Sequence, residues 1–425
     1  MRICLFEDQQ VDFLEPLALT RPAFHLRCGA FQLYQRHVAH FSPSDVGALV
    51  RPNLVELCRF THPTMAVNDP AWLQAGSTVL VNARWLPPAG QPASLHEPCT
   101  GMVGDQIAYV ALSAEQVADC AIQPLADCLE RWRQTLPATS AGGWMIDYPW
   151  DLVERNGEML CLDYPANNKG SAEETGAGSI MVVGSKALLF VDPTATIEPA
   201  VVADTTQGPV AIAREARVQA FTRLEGPCYI GPGSWAVGAN IRGSTIGPMC
   251  RIGGEVEASI IQGFTNKYHD GFLGHSYLGE WVNLAAGTQV SDLRNDYGRV
   301  SVTINDAKID TQLTKVGAFI GDHSKTGLSA LLNTGTVVGV FCNLLPTGAL
   351  LPRTIPSFCR YYHGQIQARS DWREMLTTAA KVMQRRGQEL TSAHTSLINA
   401  LFDETAPQRK HVLREGDPRR WRQSM

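Results

Sequence analysis

The sequence predicts two joined parts: an α/β unit, then an all-β coil of short parallel strands closed by a helical C-terminal extension. Three observations predict it. Over residues 1–165, short apolar runs alternate with helix-like segments, the pattern of a mainly parallel sheet covered by helices. From about residue 187, aliphatic residues recur every six positions, each beside a small residue. Past Pro356 that spacing stops and helical periodicity returns. Residues 166–186 read as a linker, 187–365 as the coil and 366–425 as the helical extension.

In the first part, residues 2–6 (RICLF), Thr78–Asn82 (TVLVN) and Ile107–Leu112 (IAYVAL) read as buried strands. Gly29–Ala39 and Ala114–Leu136, the latter broken by Pro124, read as helices. Parallel sheets of this kind bind ligands beyond the carboxyl ends of their strands. The loop after the first strand, residues 7–28, is therefore the leading candidate for a site in this half. Asp163–Gly178 (DYPANNKGSAEETGAG) is polar and Gly-rich, as a linker is.

Composition narrows the class. Of 425 residues 44% are hydrophobic and 18% charged, with a net charge of -5. That is enough apolar material for a sizeable core, and it rules out a disordered chain and a global basic footprint for nucleic acid. The eleven cysteines are scattered, with no C-x-x-C pair and no zinc-ligand spacing, as expected of buried thiols in a reducing cytosol. No run approaches the ~18 apolar residues of a membrane span, and the opening MRICLFEDQQVDF is not a signal peptide. A cytoplasmic protein is expected.

Counting by six gives Ile246, Ile252, Ala258 and Phe264, then Leu278, Leu284 and Val290, then Ile320, Thr326, Leu332, Val338 and Leu344. Val191, Ile197, Ile230 and Val237 begin similar units upstream. One aliphatic side chain per side of a triangular coil points inward, and the small residue beside it permits the turn. Stacked coils then pair edge to edge. This pattern resembles the hexapeptide-repeat left-handed parallel β-helix. Two polar stretches interrupt it, Gly263–Ser276 (GFTNKYHDGFLGHS) and Ser291–Val300 (SDLRNDYGRV). Self-packing coils have no structural need of them, and functional residues sit on loops held by rigid scaffolds. After Pro356, Asp371–Gln384 and Ser392–Phe402 read as amphipathic helices, with Asp371 an N-cap. The basic end (Arg409, Lys410, Arg414, Arg419, Arg420, Arg422) reads as a solvated tail or an anion contact.

The segment GHSYLGEWVNLAAGTQVSDLRNDYG (274–298) resembles the acetyltransferase half of the bacterial bifunctional UDP-N-acetylglucosamine diphosphorylase / glucosamine-1-phosphate N-acetyltransferase family. The whole chain resembles a shorter, alternative form of that enzyme, with an atypical nucleotidyltransferase domain ahead of the coil. The family's general base lies in a His-x-x-Tyr-Leu-Gly context; here Gly274-His275-Ser276-Tyr277-Leu278-Gly279 is one residue shorter. His275 also stands on chemistry. An amine attacking a thioester must lose a proton near neutral pH, the range of imidazole. His269 is the rival base. The resemblance further implies Lys267, Tyr277, Asn283, Asn295 and Arg299 as contacts to the sugar phosphate. It implies Ser324 and Lys325 as contacts to acetyl-CoA. Asn283 has an alternative place in an inward asparagine ladder.

A Gly-rich phosphate loop is missing after the first strand. In its place stands Glu15-Pro16-Leu17-Ala18-Leu19-Thr20-Arg21-Pro22-Ala23-Phe24-His25-Leu26-Arg27-Cys28-Gly29, which resembles the alternative family's loop. Arg21 and Arg27 are the candidates to neutralise phosphates; the alternative has Arg21 pairing with Asp8 or Glu15. Asn82 and Arg84, at the end of a buried strand, are candidate substrate contacts. Asp151 is the candidate Mg²⁺ ligand for nucleotidyl transfer.

The resemblance thus implies acetyl transfer from acetyl-CoA to glucosamine 1-phosphate by a homotrimeric coil. The head would transfer uridylyl from UTP to the product, giving UDP-N-acetylglucosamine. The alternative is a nucleotidyltransferase for another sugar 1-phosphate, such as glucose 1-phosphate, with the coil as an assembly module. Neither involves nucleic acid or a membrane.

Overall fold

The computed structural model describes residues 1–90, 95, 97–118, 124–165, 180–369 and 371–415. Most of the predicted linker (166–179) and the tail residues Arg419, Arg420 and Arg422 lie outside them.

The three predicted strands form the middle of a seven-stranded sheet. In space the order is Ala138–Ser140, Cys99–Val103, Gln106–Leu112, Thr78–Asn82, Arg2–Phe6, Asp45–Leu49, Ala66–Val67. Arg2–Phe6 runs parallel to both its neighbours, whereas Gln106–Leu112 is antiparallel to the strands flanking it. Burial explains the apolar runs: every residue of Thr78–Asn82 is buried, as expected of a strand covered on both faces. The helix expected from Gly29 begins only at Leu33, after the short strand Phe31–Gln32. Pro124 stands at the N-cap of the helix Leu125–Thr135, with Ala114–Ala118 helical before it and 119–123 outside the described residues.

The second part is a parallel β-helix, as the repeat predicts. Ladders of parallel strands run its length. One inward column reads Val191, Ile212, Ile230, Ile246, Ile261, Leu278, Ile320, Val338, Ile355, each paired with the next. None of them exceeds 9% exposure, so each rung adds an aliphatic side chain to a continuous dry core.

The six-residue count slips where turns are short. From Ile246 to Ile261 the coil closes in 15 residues rather than 18. Ala258 and Phe264, expected inside, therefore occupy corners with φ of 43° and 53°, and Val256 and Ile261 point inward instead. Val237 likewise yields its inward place to Ala236. The polar stretch 263–276 is not an interruption: Asn266–Lys267 and Phe272–Gly274 remain in the ladder. The second stretch is longer than expected. The chain leaves the coil after Gln289–Val290, forms the antiparallel hairpin Ser301–Ile304 with Ala307–Asp310, and rejoins at Ala318–Ile320.

Beyond the coil come the helices Trp372–Gln384, Ser392–Glu404 and Ala406–Glu415. Asp371 stands at the N-cap but makes no capping bond; its carboxylate pairs with Arg369 instead. Arg409, expected in a solvated tail, is 5% exposed and lies over the rings of Phe358 and Phe402. One apolar cluster joins the head (Leu17, Phe24, Trp150), the coil (Ile260, Phe319, Phe358) and the helices (Met375, Leu397, Leu401). The parts are thus fused through a common core. No helix among the described residues is long and apolar enough to cross a membrane.

Candidate functional site

His275 stands at a corner of the coil. Arg242, Glu257 and Gly274 pair in successive rungs, so the corner residues that follow them, Gly243, Ala258 and His275, form a column. All three have positive φ (59°, 43° and 44°), a conformation uncommon for residues with a side chain. The neighbouring rungs clamp it: His275 N donates to Glu257 O, and Gly317 N donates to His275 O. The two earlier corners carry small residues, Gly243 and Ala258. His275 therefore projects from a rigid edge.

Its partner comes from the second polar stretch. His275 Nδ1 lies 2.7 Å from Asp292 Oδ2. Burial works to raise the pKa of Asp292, but the hydrogen bond and charge of His275, and then Lys315, outweigh it and hold the carboxyl below its ordinary value. An ionised carboxylate accepts only, so Nδ1 carries a proton, and in the neutral ring Nε2 is the nitrogen with the free lone pair. The imidazole side chain is 15% exposed. Beside it Lys315 bonds Glu257 at 3.3 Å, and Glu257 bonds Arg242 at 2.6 Å. Asp292, Lys315 and Glu257 were missed in the sequence. Asp292 had a signal, an acid within the second polar stretch; Lys315 lies past the stretch's expected end.

The other expected acceptor residues scatter. Asn295 and Arg299 sit exposed on the excursion that carries Asp292, with Arg299 bonded to Gln312 and near Asp310. Lys267 pairs in register with Ile252 and so points into the coil; it is 2% exposed, and Nζ donates to Gly253 O at 2.7 Å. Burial pushes its pKa down to about 8. It cannot meet a phosphate from inside the prism. Tyr277 is fully buried between head and coil: its hydroxyl accepts from Arg27 N at 2.8 Å and donates to Gln262 Oε1 at 2.6 Å. Asn283 lies not in an inward ladder but in an outward column with Asn266, Lys325 and Asn343. Lys325 Nζ donates to His323 O at 2.9 Å, and burial lowers its pKa to about 8. Ser324 is a buried corner hydroxyl that donates to Gly339 O and accepts from Cys342 N.

In the head, the carboxyl ends of Arg2–Phe6 and Thr78–Asn82 open on a cleft of about 530 Å³ whose wall includes Asp8, Asn82, Arg84, Gln106, Arg133 and Asp147. Arg84 is 1% exposed and almost fully committed. Its Nε and Nη2 each lie 2.7 Å from an oxygen of Asp8, and Nη1 lies 2.8 Å from Asp147 Oδ1. Asn82 also donates to Asp8, at 2.7 Å. Asn82 and Arg84 thus brace carboxylates, and the carboxylates of Asp8 and Asp147 face outward, 25% and 38% exposed. Asp151 is turned away: its Oδ2 accepts from the backbone of Asp147 and Tyr148, capping the helix Pro149–Asp163. Burial, in spite of those bonds, raises its pKa to about 6. Among the described residues, no group of three or more His, Cys, Asp or Glu is arranged to hold a metal. Mg²⁺ bound through substrate phosphates needs only one or two carboxylates, and Asp8 and Asp147 fit that need where Asp151 does not.

The two arginines of the 15–29 loop do not reach this cleft. Arg21 pairs with Glu280 at 3.0 Å and with Asp322, both from the coil, rather than with Asp8 or Glu15. Arg27 bonds Ala30 O beneath the coil. The loop docks head to coil: Gln262 Nε2 donates to His25 O, and Asn156 Oδ1 bridges Gly29 N and Thr245 Oγ1.

The chain thus joins an α/β head with a carboxylate-lined cleft at its strand ends to a β-helix bearing a His–Asp pair. Residues 3–172 match the family model described as sugar nucleotidyl transferase. The chain is also similar to the bifunctional sugar-1-phosphate nucleotidylyltransferase/acetyltransferase of Sulfurisphaera tokodaii, at 35% identity over 101 residues (24% of this chain, 25% of that protein). It is similar to the bifunctional protein GlmU of Methanocaldococcus jannaschii, at 34% over 103 residues (24% and 25%). With GlmU of Synechococcus elongatus the figure is 36% over 104 residues (24% and 19%). Each match spans a quarter or less of the relative's length. Among solved structures, the polySia-specific acetyltransferase NeuO matches with a TM-score of 0.25 and 12% identity, over 49% of this chain and 98% of that one. A UDP-N-acetylglucosamine acyltransferase matches with a TM-score of 0.21 and 13% identity, over 47% and 77%.

Proposed function

We propose that the coil transfers acetyl from acetyl-CoA to the amine of glucosamine 1-phosphate, and that the head transfers uridylyl from UTP to the product, giving UDP-N-acetylglucosamine and pyrophosphate. The observation that carries the first step is the 2.7 Å bond from His275 Nδ1 to Asp292, which leaves Nε2 as a base at the coil surface. The amine nitrogen attacks the thioester carbon as Nε2 takes its proton. The carbon–sulfur bond then breaks, and the imidazolium returns that proton to the leaving thiolate. Asp292 holds the tautomer and steadies the transient imidazolium. Lys315, with Asn295 and Arg299 on the same excursion, is assigned to the sugar phosphate. Lys267 and Tyr277 are not, because one faces the interior and the other the head. Asn283 and Lys325, in the outward column, are assigned to the acetyl-CoA arm, with Ser324 shaping their corner.

In the head, Asp8 and Asp147 are assigned to Mg²⁺, which when bound neutralises triphosphate charge. Arg84 and Asn82 orient those carboxylates. A homotrimer would place a neighbouring coil beside the His275 column; light scattering on the full chain checks this, and a monomer counts against it. The deciding experiment couples two assays. Thiol release from acetyl-CoA with glucosamine 1-phosphate reports on the coil, and pyrophosphate release from UTP with N-acetylglucosamine 1-phosphate reports on the head. His275→Ala is expected to abolish the first and spare the second; acetyl transfer that survives overturns the assignment.

A further inference from the structure

Head, coil and C-terminal helices meet around a cavity of about 220 Å³ that belongs to neither transfer centre. One wall is aromatic. Phe264, Trp281, His323, Phe341 and Phe358 follow one another along a corner of the coil, all at positive φ. Their rings stack within 17° of parallel at centroid spacings of 4.3 to 6.0 Å. Trp281, His323 and Phe341 line the cavity. A second wall is charged: Thr20 Oγ1 donates to Asp322 at 2.8 Å, and Arg21 spans Asp322 and Glu280. His25 and His62 add a pair of imidazoles with their Nε2 atoms 2.7 Å apart. The helices close the third side with Leu390, Leu397, Ile398 and His394.

Two buried polar atoms of lining residues have no hydrogen-bond partner, Arg21 Nε and His323 Nδ1. Both residues are 7% exposed. Buried polar groups are rarely left unmatched, so each such atom calls for a partner. The partner's chemistry follows from the walls. The edges of the stacked rings form an apolar wall suited to the C–H groups of a sugar ring, and carboxylate, guanidinium and imidazole suit its hydroxyls. Charge sets the rest. Arg21 pairs with both Glu280 and Asp322; burial, with the charge of Glu280, raises the pKa of Asp322 in spite of Arg21, and burial keeps the imidazoles of His25 and His323 from protonating. Glu280, 24% exposed, is the acid open to the cavity. The cavity thus favours an amine and disfavours a phosphate. Its volume is below the roughly 300–1,000 Å³ typical of drug-sized ligands, which suits a monosaccharide rather than a nucleotide.

We propose that this junction is a binding site for an unphosphorylated amino sugar, separate from the acetyl-acceptor site and placed to couple head, coil and helices. The test is calorimetric titration of the full chain with glucosamine, glucose and glucosamine 1-phosphate. Glucosamine is expected to bind, with glucose and the phosphate ester weaker by about tenfold or more. Glu280→Gln and Trp281→Ala are expected to weaken glucosamine by about tenfold or more. Leu397→Phe, which fills the cavity without touching its charges, is expected to do the same. His275→Ala is expected to leave glucosamine binding unchanged. No heat with glucosamine up to about 10 mM overturns the proposal. So does binding that His275→Ala removes, or that Leu397→Phe spares, since the ligand would then sit elsewhere.

Discussion

At the scale of single residues, the proposed base depends on a neighbour seventeen positions away. His275 has its backbone fixed in a left-handed corner by the rungs on either side, and its ring is fixed by Asp292. Asp292→Asn keeps the shape but can offer an N–H to Nδ1, which would move the ring proton to Nε2 and remove the base. The expected result is a fall of about 10- to 100-fold in kcat for acetyl transfer with KM for acetyl-CoA unchanged, read by thiol release. His275→Ala is expected to lose about 10²- to 10⁴-fold. A KM effect without a kcat effect in Asp292→Asn would mean that the carboxylate binds substrate instead. His275 was legible because its flanking Ser-Tyr-Leu-Gly is distinctive. Lys267 and Tyr277 misled because a motif match says nothing about facing: in the coil a shift of one residue exchanges inside for outside.

At the scale of elements, the excursion 291–316 brings Asp292 and Lys315 to His275, and Gly317 closes it. A Cβ at Gly317 would lie 1.9 Å from Gly274 O and 2.2 Å from Ser276 Oγ, the two residues flanking His275. Gly317→Ala must therefore push the excursion off the rung. The expected cost is about 1–3 kcal/mol in urea unfolding. Acetyl transfer is expected to fall by about 100-fold, since an ångström of misplacement at a base is that expensive. The aromatic corner is the structural counterpart. Phe358 is fully buried, with its ring 5.4 Å from Phe341 and 5.2 Å from Phe402. Phe358→Ala is expected to cost about 3–5 kcal/mol, measured by the same unfolding, with little change in the kcat of the folded fraction. The coil itself was legible because each rung repeats one demand, an apolar residue inward. The exceptions, Ala258 and Phe264, came from a 15-residue turn that an even count of six cannot represent. The hairpin 301–310 has no repeat to betray it.

At the scale of the whole molecule, the sequence suggested parts joined through a linker, and the chain shares one apolar cluster among them. The apolar residues of a single-domain core and of an interdomain contact look alike in sequence, so nothing in Leu17 or Phe24 announced that they meet the coil. The same holds for Arg21, which reads as a phosphate contact until Glu280 and Asp322 are brought to it from 259 and 301 positions away. This junction carries a pH dependence. Burial, then the nearby His62 and Arg21, lowers the pKa of His25 to about 3, against about 6.5 for an unperturbed histidine. A histidine depressed in the folded state binds its proton more readily when unfolded. The stability tied to neutral His25 is therefore fully present above about pH 6.5 and is lost progressively as pH falls toward 3. Glu15 works in the opposite sense. Burial, then Asp12, raises its carboxyl to about 7, so that group costs stability at high pH and stops doing so on acidification. A wild-type profile alone mixes the two. Comparison with His25→Gln isolates the imidazole: between pH 7 and 5, the urea midpoint of wild type is expected to drop relative to that of the variant. Parallel profiles would show that His25 does not titrate on unfolding, and the head–coil junction would then owe nothing to its neutral state.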